Sequence, residues 1–175
     1  MTDCLPDTPV LTTERLTLRP PKVTDWPAYA AFMETDAARF FAGHRNPTAA
    51  WRSFGAVIWN WLHRGFGPWA VTEDGEGSIA LVGPKWPEGW PAPEITWIAY
   101  APAVGRGIAA EAARAARRDA YERLGWTEAV SYIEDANTRS IALAQRLGCH
   151  LDAEAPTPGG PVRAWRHPGP EGGAA

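Results

Sequence analysis

Apolar and polar residues alternate through Leu16-Thr17-Leu18-Arg19, which predicts a first strand stopped by Pro20-Pro21. Thr24 or Asp25 then caps a helix with Pro27 in its first turn, where a missing N–H does no harm. Ala28, Ala31 and Phe32 recur at helical spacing behind it. A second helix opens at Pro47, carries Trp51, Phe54, Ile58, Trp61 and Leu62, and stops at Gly65. Trp69 to Thr72 and Ile79 to Val82 read as two strands joined by the turn Asp74-Gly75-Glu76-Gly77. Four prolines and two tryptophans between Pro84 and Pro93 predict an irregular loop.

The second half is more regular. Glu94 to Tyr100 predicts a strand, and after a glycine-bearing turn Ile108 to Leu124 predicts a helix. Its apolar positions Ile108, Ala112, Ala116, Ala120 and Leu124 recur every four residues. Most of that stripe is alanine, so the helix is expected to lie close against a sheet, ending at Gly125. Trp126 to Ile133 predicts a strand and Asn137 to Leu147 a helix closed by Gly148. Short strands follow near His150-Leu151 and Val162 to Trp165. This order gives an α+β fold: a mixed, mostly antiparallel sheet of about six or seven strands with helices on both faces.

Composition narrows the class. The 175 residues are 45% hydrophobic and 21% charged, as expected of one globular domain, read as residues 1–168 followed by a disordered tail, 169–175. The net charge of −3 gives no basic stripe, so nucleic acid is not an expected partner. No apolar run is long enough to span a bilayer, and Asp3 and Asp7 do not suit a secretory leader; a cytoplasmic protein with no membrane partner is expected, as monomer or homodimer. Cys4 and Cys149 cannot build a disulfide framework, and His44, His63, His150 and His167 lack metal-ligand spacing, so no metal is expected. Of the ten tryptophans, Trp51, Trp59, Trp61, Trp69 and Trp97 read as core. Trp86 and Trp90 sit on the Pro-rich loop, where they are placed to wall or cover a pocket.

The turn Val104-Gly105-Arg106-Gly107-Ile108-Ala109 is the strongest chemical signal. Glycines let successive N–H groups converge, the helix N-terminus adds unpaired donors, and Arg106 adds a charge; a pyrophosphate suits such a place. A plain strand–helix turn and a dinucleotide fold also fit the spacing Gly105-x-Gly107-x-x-Ala110. Against the dinucleotide reading, Ala101 to Val104 separates the strand from the first glycine, and only one further strand–helix unit follows. No Lys-Ser/Thr pair follows the glycines, which excludes a nucleotide-triphosphate loop.

The stretch from Glu94 to Ala112 resembles the acetyl-CoA motif of the GNAT superfamily, and is most similar to the branch of ribosomal-protein N-terminal acetyltransferases. Leu11-Thr12-Thr13-Glu14-Arg15-Leu16-Thr17-Leu18-Arg19-Pro20 with Asp25 resembles that branch's opening strand. Asn137-Thr138-Arg139-Ser140 with Leu147-Gly148-Cys149 resembles its Asn-x-x-Ser helix. Trp165-Arg166-His167-Pro168 is similar to a closing strand of some members. The chain departs from the pattern at Val104, where Gln, Arg or Trp is usual, and at Cys149, where an aromatic is usual.

The resemblance implies a GNAT fold and an acetyl-CoA-dependent N-acetyltransferase. Val104, Gly105, Arg106, Gly107, Ile108 and Ala109 would hold the phosphates. The backbone of Ile98, Ala99 and Tyr100 would pair with the pantetheine arm, between two strands that splay apart. Glu94 would take the amine proton; a solvated strand-end glutamate is the plain alternative. Asn137 would bond the pantetheine while capping its helix, or only cap it. Ser140 would protonate the leaving thiolate, or be merely a small polar helix residue. The acceptor, a protein N-terminus or a small-molecule primary amine, stays open. So does a non-catalytic CoA-binding sensor or interaction module of the same fold.

Overall fold

The computed structural model describes residues 8–170; Cys4 and the tail from residue 171 onward lie outside the described residues. Eight described strands form one sheet: β1 (Leu11–Thr12), β2 (Thr17–Arg19), β3 (Trp69–Thr72), β4 (Ala80–Lys85), β5 (Glu94–Ala99), β6 (Val130–Glu134), β7 (His150–Asp152) and β8 (Val162–Arg166). The spatial order is β1-β2-β3-β4-β5-β6-β8-β7. Every pairing is antiparallel except that of β5 with β6. Four described α-helices cover it: α1 (Trp26–Met33), α2 (Pro47–Arg64), α3 (Ile108–Glu122) and α4 (Thr138–Arg146). No described helix is long and apolar enough to cross a membrane.

The faces divide by strand alternation. Trp69, Val71, Val82, Ile95 and Trp97 point to the α3–α4 side, where they meet Ile108, Ala112, Ala116 and Ala144. Ala70, Leu81, Ile98 and Tyr100 point to the α1–α2 side, against Tyr29, Phe32, Met33 and Phe54. Ile108, Ala112, Ala116 and Ala120 are fully buried, and their small side chains let α3 approach the sheet closely. Both faces being covered, β3 is buried at every position.

The structure corrects several local expectations. β4 runs on to Lys85, so the irregular segment begins only at Trp86. Pro84 is tolerated because the bonding groups that face β5 belong to Leu81, Gly83 and Lys85; Pro84 faces the β3 side, and β3 ends opposite Val82. β6 starts at Val130 rather than Trp126. Leu11–Thr12 adds an edge strand too short to show a period. Trp51 and Trp59, expected in the core, are 61% and 62% exposed, because the inward stripe of α2 is taken by Phe54 and Trp61.

Candidate active site

The one parallel pairing in the sheet is also the shortest. β5 and β6 meet only at Glu94 and Val130, and then diverge. The Val130 N–H donates to Pro93 O at 3.0 Å. One step further the Ser131 hydroxyl donates to Ile95 O at 2.6 Å, in place of a main-chain bond. Ser131 Oγ also lies 2.9 Å from His167 Nε2, and His167 Nδ1 lies 3.4 Å from Arg117 Nη1. Arg117 can only donate, so Nδ1 accepts and Nε2 carries the proton to Ser131. This buried chain pins the fork at the point where the strands part.

Burial holds His167 neutral, with its pKa pushed down to about 3, and the nearby Arg117 adds to the effect. The depressed value means that the unfolded chain takes up a proton first as pH falls. Stability from this group is full above about 6.5 and is lost toward pH 3, on the order of 3 kcal/mol by pH 4. The melting temperature of the wild type is therefore expected to fall more steeply between pH 6.5 and 4 than that of His167→Gln, as followed by calorimetry. Parallel slopes would remove His167 as the acid-sensitive group.

Alternation also decides which main-chain groups face the gap. Pro93 and Ile95 bond toward β6, whereas the Tyr100 N–H donates to Ile79 O at 3.0 Å, on the β4 side. Residues two apart point the same way, so Trp97 and Ala99 present their N–H and C=O groups to the opening. Of Ile98, Ala99 and Tyr100, Ala99 is the one whose backbone faces this opening. The backbones of Ile98 and Tyr100 are instead used in the ladder with β4, and Trp97 takes the place expected of them.

Two cavities flank this gap. One, of about 290 Å³, is lined by Val104, Gly105, Gly107, Ile108 and Ala109 of the glycine turn, and by α4. Gly105 and Gly107 both have φ of 77°, a left-handed conformation that other residues adopt at a cost. Gly107 is the N-cap of α3, and no side chain caps its first-turn N–H groups. Arg106 does not serve this cavity. Its guanidinium is held by Glu73, at 2.6 and 3.0 Å, and by Pro102 O. The cations that do line the cavity are Arg139 and Arg146, seven residues apart and so on one face of α4. That spacing was the available sequence signal, and neither arginine has an ion-pair partner among the described residues.

The other cavity, about 490 Å³, lies on the α1–α2 side and is lined by Glu94, Lys85, Trp90 and Tyr132 among others. Glu94 is only 4% exposed, so it is no solvated strand-end group. Lys85, opposite it in the β4–β5 register, brings Nζ to 3.5 Å from Oε2, near enough for charge attraction; among the described residues no aligned hydrogen bond reaches that oxygen. Burial pushes the Glu94 carboxyl up to about 7, with Lys85 opposing the rise. Trp90 walls this cavity, edge-on to Tyr132 at 5.4 Å and beneath the Lys85 ammonium at 4.5 Å. Trp86 serves its loop instead, donating to Trp90 O at 3.0 Å.

The two cavities share Phe41, Trp97, Ile98, Asn137 and Ser140. Asn137 caps α4, its Oδ1 accepting from the Ser140 N–H at 3.2 Å. That leaves its amide nitrogen uncommitted among the described residues. Trp97 Nε1 donates to Ser140 Oγ at 3.2 Å, so the serine hydroxyl keeps its own proton to give. Cys149, buried, has its thiol pushed up to about 12 and offers no thiolate nucleophile at neutral pH.

Residues 15–150 match the model of a family described as an acetyltransferase (GNAT) domain. An acetyltransferase from Agrobacterium tumefaciens str. C58 is 33% identical and superimposes with a TM-score of 0.86, over 95% of this chain and 98% of that one. A GNAT-family protein of Bordetella pertussis is 27% identical, with a TM-score of 0.72 over 91% and 99% of the two chains. RimJ of Mycobacterium smegmatis, in complex with CoA-disulfide, shares the fold at 15% identity, with a TM-score of 0.63 over 87% of this chain and 80% of that one.

Proposed function

The chain belongs to the GNAT acetyltransferase family, and from that membership we propose that it transfers an acetyl group from acetyl-CoA to a primary amine by direct attack. The observation that carries the reading is the meeting of the two cavities at Trp97, Asn137 and Ser140, where the strands part. One cavity suits a phosphate-bearing chain and the other offers a buried base, so two substrates can meet end to end.

Acetyl-CoA supplies the activated acetyl group. The main-chain N–H groups of Gly105, Gly107, Ile108 and Ala109 and the guanidinium groups of Arg139 and Arg146 would hold its phosphates. The backbone of Trp97 and Ala99 and the free amide of Asn137 would hold the pantetheine arm, by an imitation of strand addition. Glu94, poised near pH 7, accepts a proton from the ammonium of the acceptor, directly or through water. Ser140 donates its proton toward the leaving sulfur. A domain retained only to bind CoA has no use for a buried carboxylate with an unbonded oxygen facing the second cavity.

The test is thiol release from acetyl-CoA in the presence of a panel of primary amines, with product identified by mass. Amine-dependent release supports the reading, and acetyl-CoA binding without release to any amine sinks it. In the same assay Ser140→Ala is expected to lower kcat by about 10²-fold, with the Kd for acetyl-CoA within about threefold of wild type. An unchanged kcat would return Ser140 to a packing role.

A further inference from the structure

We infer that the acceptor is a small primary amine carried on an aromatic body, an arylalkylamine, rather than a polypeptide N-terminus. This rests on the transfer reading above and concerns the 490 Å³ cavity alone.

The cavity has one polar end and one apolar end. At the polar end Glu94 Oε2 is buried without a hydrogen-bond partner, and Lys85 stands 3.5 Å away. Beside that ion pair the oxygen still lacks an aligned donor, which the amine of an acceptor can supply. Away from β5 the walls are Tyr29, Phe40, Phe41 and Val57, with Trp90 on another side. Two polar side chains on the helical wall are already committed to the protein. Ser53 Oγ lies 2.8 Å from the Tyr29 hydroxyl. Asn60 donates to Phe66 O at 2.6 Å and accepts from the Trp86 N–H at 3.3 Å. These bonds hold both side chains against the protein.

A peptide would bring an N–H and a C=O group into that region for every residue beyond its amine. Each would lose water, and the aromatic wall offers nothing in exchange. A ring on a short alkyl chain has no such groups. It would bury its faces against the phenyl and indole rings while its single polar group meets Glu94. The lining also carries Glu134, so with Glu94 ionised two carboxylates face Lys85, and the charge balance favours a cation.

The experiment measures kcat/KM at saturating acetyl-CoA for 2-phenylethylamine, for ethanolamine and for a tetrapeptide with a free N-terminus. Burial of one ring predicts 2-phenylethylamine ahead of both by about 100-fold. Val57→Arg, which puts a charge into the apolar wall from α2, should raise KM for 2-phenylethylamine by about 30-fold or more while acetyl-CoA binding is retained. Phe40→Ala, which removes a ring without adding charge, is the companion should Val57→Arg fail to fold. It should raise the same KM by about tenfold. A tetrapeptide turned over as well as or better than 2-phenylethylamine, or a KM indifferent to the wall variant that folds, overturns the inference and leaves acetyl transfer standing. Acetyl-CoA binding with no turnover of any amine overturns both.

Discussion

Glu94→Gln is expected to lower kcat at pH 7 by about 10²–10⁴-fold while leaving acetyl-CoA affinity nearly unchanged. A lysine-like amine has a pKa near ~10.4, so it arrives protonated and must lose that proton before it can attack. Glu94 is the buried carboxylate at the mouth of the gap, with its pKa raised to about 7, so near neutrality it is strong enough a base and still half ionised. Only the ionised form accepts a proton, so the wild-type rate should rise through an apparent pKa near 7. Gln keeps the shape and loses the basicity. The variant should lose that limb and keep only the rise with pH that comes from the free amine.

A second readout separates chemistry from damage. The folded pKa of Glu94 lies above that of the unfolded chain, so its burial costs nothing below about 4.5 and costs increasingly as pH rises through 7. Glu94→Gln should therefore melt like the wild type at pH 4.5 and higher than it at pH 8. Equal rates for the two proteins from pH 6 to 9 would clear Glu94 of the proton transfer, whatever the melting curves show.

Gly107→Glu is expected to weaken acetyl-CoA binding by about 100-fold or more, measured by calorimetry. The residue stands at φ 77° at the N-terminus of α3, and a Cβ there would touch only Arg15 Nη2, at 3.6 Å. Space is therefore available, and the cost to folding is the left-handed backbone alone, about 1–2 kcal/mol. The cost to binding is larger, because a carboxylate would stand among the helix N–H groups where phosphate must approach. Gly107→Ala carries the same backbone strain without the charge, so it should retain most of the affinity. Equal affinities for Gly107→Glu and wild type would remove the glycine turn as the phosphate site. NAD should raise the melting temperature of neither.

What was legible in the sequence is whatever a short stretch of chain decides for itself. The alanine stripe of α3 shows its buried face because residues four apart share a side of a helix whatever lies opposite. The glycine turn and the Asn137 cap are likewise local, since a turn of positive φ and a capped helix start need only a few neighbouring residues. The burial of Glu94 is of another kind. It depends on β4 running past Pro84 to set Lys85 opposite, and on α2 closing the far side of the cavity. Arg106 belongs to the glycine turn in sequence, but Glu73, 33 residues away, claims its charge; Arg139 and Arg146 reach the cavity only because α4 packs beside the fork. The choice of Trp97 and Ala99 over Ile98 and Tyr100 turns on which neighbour each side of β5 has. Alternation says that two faces and two edges exist, and only strand order and register say which of them is open.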